Sequence, residues 1–242
     1  MDEKNKPSVF GTLYGVGVGP GDPDLLTLQA VKVLRSVSVV LSAASPGKEE
    51  SLALAVAAPH IPPQTRILRL DFPMTKERTL LERAWEDNAA CAAEILRSGQ
   101  DACFLTLGDP MIYSTFGYLM QTLSRLYPAL PVSVVPGITS FQAAAAKTRT
   151  VLCQGGENLL LVSGINSRED LVKALEYADG AVILKAYRNA PFVREALIRA
   201  GRDSEVVFAS RIGHGEEASG RGLQSMPSRP PYLSLLIAPP KR

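Results

Sequence analysis

Short apolar runs that break at a glycine and proline loop, then resume as an amphipathic stretch, constrain this chain more than any other feature. The run from Thr12 to Val18 ends in Gly19-Pro20-Gly21-Asp22-Pro23, the pattern of a buried strand breaking into a turn. Asp24 is placed to cap the next helix, Leu25 to Arg35, whose apolar residues recur at helical spacing. Val37 to Ser42 is continuously apolar, as expected of a strand covered on both faces. Further strands are predicted at Arg66 to Leu70, Ala102 to Leu107 and Val132 to Val135. Helices are predicted at Glu77 to Arg97, Tyr118 to Leu126 and Phe141 to Lys147. This alternation predicts an N-terminal α/β domain over residues 1–148, with a doubly wound, mostly parallel five-stranded sheet and a ligand at the carboxyl ends of its strands.

Residues 149–242 alternate again. Strands are predicted at Leu159 to Val162, Ala181 to Leu184, Glu205 to Ala209 and Tyr232 to Ala238, with helices at Arg168 to Glu176 and Phe192 to Ala200. A second α/β domain with some antiparallel pairing follows from this order, and Gly213 to Pro231 reads as a hairpin or mobile loop.

Composition narrows the partners. Apolar residues at 46% and charged residues at 21% belong to a globular chain. A net charge of +2 gives no global field for a nucleic-acid backbone. Cys91, Cys103 and Cys153 are odd in number and widely spaced, which suits neither a disulfide framework nor a metal knuckle and points to a reducing cytosol. With only His60 and His214 as imidazoles, both expected in loops or at the surface, no protein-bound metal is expected. Met1 to Pro7 has no apolar core of a secretory signal, and no apolar run reaches the roughly 20 residues needed to span a bilayer.

Three loops at strand ends carry the chemistry. Gly15 to Pro23 invites comparison with a dinucleotide fingerprint, but the GxGxxG frame needs glycine at position 20 or 22, where Pro20 and Asp22 stand. No acidic residue ends the second strand to hold a ribose, since Leu41-Ser42-Ala43-Ala44 occupies that place. A nicotinamide site is therefore excluded, and a tight turn that needs glycine for backbone reasons remains open. The second loop is Leu107-Gly108-Asp109-Pro110-Met111-Ile112-Tyr113-Ser114, in which Asp109 can be a helix cap or part of a ligand site shared with the first loop. The third, Val135-Pro136-Gly137-Ile138-Thr139-Ser140, puts backbone amides and two hydroxyls at a helix start, suited either to capping or to an anion.

These loops, in this order and together with Gly11 to Pro23 and Asp71-Phe72-Pro73-Met74, resemble the tetrapyrrole (corrin/porphyrin) methylase family, over nearly the whole chain. Within it the pattern is similar to members that methylate C20 of precorrin-2 or of cobalt-factor II in cobalamin biosynthesis. The resemblance implies two α/β domains with S-adenosylmethionine (SAM) in a cleft between them, a homodimer and a cytoplasmic enzyme. It implies cofactor contacts from Pro20, Gly108, Asp109, Met111, Ile112, Ser114, Thr139 and Ser140. Less definite contacts come from Lys185 or Ala186, in the stretch Leu184 to Arg188, and from Arg211 or Ile212. Asp109 and Tyr113 are the candidates by position for a general base, should one be used. Because the implied substrate is ringed by acetates and propionates, Lys185, Arg188, Arg194 and Arg211 are candidates for its wall, each also readable as a solvated charge. A same-fold methylase of another substrate, such as diphthine or ribosomal RNA, and a non-catalytic tetrapyrrole carrier stay open as alternatives.

Overall fold

The computed structural model describes residues 10–44, 51–163 and 167–241, so the Met1 to Pro7 segment lies outside the described residues. The chain packs as two compact units, Met1–Thr139 and Ser140–Arg242. Among the described residues no helix is long and apolar enough to cross a membrane.

The first unit contains strands β1 (Leu13–Gly17), β2 (Val39–Ala44), β3 (Arg66–Asp71), β4 (Ala102–Thr106) and β5 (Val132–Val135), and helices α1 (Leu28–Ser36), α2 (Leu52–Ala57), α3 (Arg78–Arg97) and α4 (Phe116–Leu126). All pairings are parallel, in the order β3-β2-β4-β1-β5. Alternation along the strands builds two cores. Leu13, Ala102 and Phe104 face α3 and α4, where Phe116, Leu119 and Leu123 are fully buried. Val16, Cys103 and Leu105 face the opposite way, onto Ala30, Val33 and Leu34 of α1 and Ala53 and Val56 of α2. Each buried Leu or Phe contributes about 1.5–3 kcal/mol before chain entropy is counted. Gly15 belongs to the first of these faces: a Cβ there would strike the Phe116 ring.

Two local expectations change. Asp24 does not cap the first helix. Asp22 instead caps a short 3-10 turn over Pro23–Leu25, its carboxylate accepting from Asp24 N–H at 2.9 Å, and the following helix begins later with Thr27 as its cap. The proline at position 23 favours a tight first turn, and Thr27 Oγ1 then takes the Ala30 amide. Helix α2 was not anticipated from the sequence. Ser51 caps it, its Oγ accepting from Leu54 N–H, and only six small or apolar residues follow, too short a stretch to show a period.

The second unit begins with α5 (Ser140–Thr148) and continues through β6 (Leu159–Ser163), α6 (Arg168–Tyr177), β7 (Gly180–Leu184), α7 (Ala190–Arg199), β8 (Val207–Ser210), β9 (Ala218–Arg221) and β10 (Ser234–Ala238). The sheet order is β6-β7-β10-β8-β9, with β6 and β7 parallel and the other pairs antiparallel. Helices α6 and α7 cover one face through Leu171, Leu175, Val193 and Leu197. Phe141, Ala144 and Ala145 of α5 cover the other, against Val182, Val207 and Ile237. The Gly213 to Pro231 stretch holds the second arm of a hairpin, β9, which pairs with β8, and a 3-10 turn over Leu223–Ser225 follows.

Candidate active site

Strand order explains why the three loops meet. From β1 the chain skips a place to reach β2, moves outward to β3, returns to fill the gap with β4, and ends on the far side of β1 with β5. The carboxyl ends of β4, β1 and β5 are therefore neighbours at the point where the winding reverses, the place where open α/β sheets bind ligands.

The convergence is tight. Gly108 N–H donates to the Gly19 carbonyl at 2.8 Å, and the two residues form an antiparallel bridge. A Cβ on Gly17 would lie 2.5 Å from the Gly108 oxygen and 2.7 Å from Gly137 Cα and N. One on Gly137 would run into the Gly108 oxygen and lie 2.8 Å from Gly17 Cα. Neither Gly17 nor Gly137 has positive φ, so glycine is needed there for close approach of backbones, whereas Gly108 at φ +68 and Gly19 at φ +77 also need its dihedral freedom.

Asp109 latches the second loop to the third. Its Oδ1 accepts from Met111 N–H at 2.8 Å and its Oδ2 from Gly137 N–H at 3.0 Å. It is not the cap of α4, which starts seven residues later at Phe116. That cap-like bond belongs to Ser114, whose Oγ accepts from Phe116 N–H at 3.0 Å and shares a 2.9 Å hydrogen bond with Thr106 Oγ1. Around this floor, Pro20 and Thr139 are buried, Ile112 and Ser140 are half-buried, and Met111 and Tyr113 stand out at 57% and 55% exposed. Tyr113 has φ 50, a left-handed conformation that bulky residues rarely hold outside functional sites.

In the second unit the residues of interest gather at one end of the sheet. Ala186 N–H donates to the Ser234 carbonyl at 3.3 Å and Arg211 N–H to the Leu233 carbonyl at 3.0 Å, so the segments after β7 and β8 are both fastened to the start of β10. Ala186 and Ile212 are buried, whereas Lys185 keeps its side chain partly in solvent. Burial and the nearby Arg188 hold the Lys185 ammonium below its ordinary pKa. Arg211 is ion-paired with Glu216. Arg194 is removed from the candidates for a substrate wall, because its guanidinium donates to the Leu223, Met226 and Pro227 carbonyls and straps the 223–227 turn to α7. His214 is not the surface residue expected: it is half-buried, and its Nε2 is enclosed without a hydrogen-bond partner among the described residues. Sequence reasoning missed Gly17 and Gly137 as packing contacts, and their only signal was the small residue in each loop.

A parallel sheet with glycine loops interlocked at its reversal point, without the glycine frame of a dinucleotide fold, defines an α/β protein of another class. Residues 12–224 match the family described as Tetrapyrrole (Corrin/Porphyrin) Methylases, and the chain belongs to that family. It is 30% identical over 229 residues to the cobalt-precorrin-2 C(20)-methyltransferase of Salmonella typhimurium, covering 94% of this chain and 95% of that protein. It is 33% identical over 246 residues to the cobalamin biosynthesis protein CobIJ of Mycobacterium tuberculosis, covering 96% of this chain. The chain spans about half the length of that relative, 46%. The crystal structure of uroporphyrin-III C-methyltransferase from Thermus thermophilus, complexed with S-adenosylhomocysteine (SAH), superposes with a TM-score of 0.65 at 26% identity, over 94% of this chain and 96% of that one.

Proposed function

We propose that this chain is a SAM-dependent C-methyltransferase that methylates C20 of precorrin-2 or of cobalt-factor II in cobalamin biosynthesis. The observation that carries the reading is the interlock of Gly17, Gly108 and Gly137 at three neighbouring strand ends, in a chain whose family and relatives are methylases. The loops fit the cofactor. Their bare backbone offers a floor without side chains, and the exposed Met111 and Tyr113 offer apolar surface at its rim. Pro20, Gly108, Ile112, Thr139 and Ser140 are the residues we assign to holding it, with Lys185, Ala186, Arg211 and Ile212 as further contacts from the second unit. When bound, SAM supplies a methyl already activated by its sulfonium, and transfer to a nucleophilic ring carbon releases SAH and that carbon's proton. The protein therefore has to align the reactants and keep water out.

Asp109 serves this site as a positioning residue. Both its oxygens are engaged by backbone amides, so its work is to hold two loops in register and not to move a proton. Ser114 acts likewise, tying β4 to the start of α4. Tyr113 is left as the residue nearest the chemistry by position. The resemblance also supports a homodimer acting in the cytoplasm, which sedimentation and localisation of the intact chain would check.

The test is calorimetry with SAH, followed by incubation with labelled SAM and each tetrapyrrole. One SAH bound per chain, and a product heavier by one methyl at a single meso position, are expected. Absence of SAH binding at high micromolar ligand, or label in RNA or protein, would reject the reading.

A further inference from the structure

Arg188 stands in a cluster of which only Lys185 is among the assigned cofactor contacts, and no packing role employs its guanidinium. After β7 the backbone turns through Lys185 at φ 56, and Arg188 N–H closes the turn on the Lys185 carbonyl at 3.1 Å. Arg188 Nε donates to Tyr187 Oη at 3.2 Å, and the guanidinium carbon lies 5.9 Å from the Tyr187 ring centroid. Tyr187 in turn meets Tyr232 edge-on, with centroids 5.4 Å apart and planes at 63°. Tyr232 is followed by Leu233 at φ 64, whose carbonyl takes the amide of Arg211 at φ 51. Among the described residues, three of the five non-glycine positions with positive φ thus lie at this end of the second sheet. Strain of this kind persists where the surroundings impose it, and it collects at ligand clamps.

Two cations, Lys185 and Arg188, stand at this end of the sheet. Lys185 and Arg188 are close enough for Arg188 to disfavour the Lys185 ammonium, on top of the effect of burial. Burial and Tyr187 raise the pKa of Tyr232, with Arg188 pulling it the other way, in keeping with the Arg188–Tyr187–Tyr232 contacts. Among the described residues no carboxylate pairs with Arg188, and its two terminal nitrogens make no hydrogen bond to protein. With Nε already turned onto Tyr187, those two nitrogens are left as a fork, the geometry that takes a carboxylate bidentately.

Resting on the tetrapyrrole reading above, we propose that Arg188, oriented by Tyr187 and backed by Lys185 and Tyr232, is the receptor for one peripheral carboxylate of the tetrapyrrole substrate. The other acidic ligand at hand is the methionine carboxylate of SAM. That carboxylate carries its own ammonium and brings no net charge to the fork. A propionate or acetate arm has no such counter-charge and brings a full negative charge to the Arg188 guanidinium. Arg194 and Arg211 do not compete for the role, since carbonyls hold the first and Glu216 the second.

The experiment compares wild type, Arg188→Gln, Arg188→Lys, Tyr232→Phe and, as a charge control, Lys173→Gln on exposed α6. SAH affinity is measured by calorimetry and steady-state kinetics with precorrin-2 and cobalt-factor II, with thermal midpoints as a folding check. Arg188→Gln is expected to raise the tetrapyrrole KM about 10- to 100-fold, the range for a lost charge-assisted hydrogen bond, while SAH affinity stays at the wild-type value. Arg188→Lys should recover part of the loss, because it restores charge without the fork, and Tyr232→Phe should raise KM by a smaller factor. Lys173→Gln should change neither. An unchanged tetrapyrrole KM in Arg188→Gln would overturn the assignment, as would a loss confined to SAH binding, which would give the anion to the cofactor. Failure of the wild type to bind SAH or turn over either tetrapyrrole would instead reject the proposed function.

Discussion

Gly17→Ala isolates the interlock on which the site depends. The added methyl would sit 2.5 Å from the Gly108 oxygen and 2.7 Å from both Gly137 Cα and N, all under the 3.0 Å that real Cβ atoms respect. Each neighbour is backbone, so no side chain can rotate away. Relief requires moving the second or the third loop, and both are tied by Asp109 to one another. Overpacking ordinarily costs about 1–3 kcal/mol, and immovable neighbours place this substitution at about 3 kcal/mol. At about 2–4 °C per kcal/mol for a chain of this size, the thermal midpoint should fall by about 6–12 °C. SAH affinity should fall by at least about tenfold, because the displaced loops no longer present one floor. Gly117→Ala makes the same chemical change in the first turn of α4, where nothing beyond the helix's own backbone lies within 4 Å of the new methyl. There it should stabilise by up to about 1 kcal/mol through helix propensity. Scanning calorimetry with and without SAH reads both. A Gly17→Ala midpoint within about 2 °C of wild type, with normal SAH affinity, would mean that the loops yield freely and that the interlock does not build the site.

Asp109→Ala should weaken SAH binding about 10- to 100-fold by leaving the Met111 and Gly137 amides without their acceptor, whereas Glu169→Ala on the surface should leave calorimetric binding unchanged. Arg202→Met should lower the thermal midpoint by about 6–12 °C, equivalent to about 3 kcal/mol. The buried Arg202 guanidinium serves the Leu175, Ala178, Asp179 and Pro239 carbonyls, which methionine cannot satisfy. Glu217 faces desolvation that would raise its pKa, yet the Lys147 ammonium and the Gly213 amide hold it below the ordinary carboxylate value. A lowered folded pKa means that this stabilisation is present above the unfolded value of about 4.3 and is lost as pH falls through the folded one. Denaturation curves from pH 7 to pH 3 should therefore lose part of their acid sensitivity in Glu217→Gln, and an unaltered slope would remove Glu217 from the account.

The strands of the first unit were legible because each is short, apolar and closed by glycine or proline, a pattern that local chemistry alone enforces. Val132–Val135 matches the sequence expectation at both ends, and the other strands of this unit differ at their edges, where pairing decides the last residue. Caps were less legible. Asp22, Asp24 and Thr27 all suit a helix start, and which one serves depends on the 3-10 turn that Pro23 introduces. Helix α5 offers only Phe141 and a run of alanines as apolar surface, so nothing in its sequence declares that this face belongs to the second sheet.

The site divides in the same way. That three strand ends carry special loops could be read from glycine, proline and aspartate, since those residues are tied to turns by backbone chemistry. What each residue does there could not. An aspartate whose two oxygens take amides from its own loop and from Gly137, 28 residues away, has the same letters around it as a helix cap or a proton acceptor. The division of labour among the arginines was likewise hidden. Arg188, Arg194 and Arg211 look alike in sequence, and only their surroundings separate a strap, a paired charge and an open fork. Arg194 meets three carbonyls because the turn after β9 folds back over α7, and Arg211 meets Glu216 because the chain turns within five residues. Arg188 is set apart by a turn closed on Lys185 and by an aromatic pair drawn from sequence positions 45 residues apart, a juxtaposition that the antiparallel pairing of β7 and β10 creates and that no local pattern could announce.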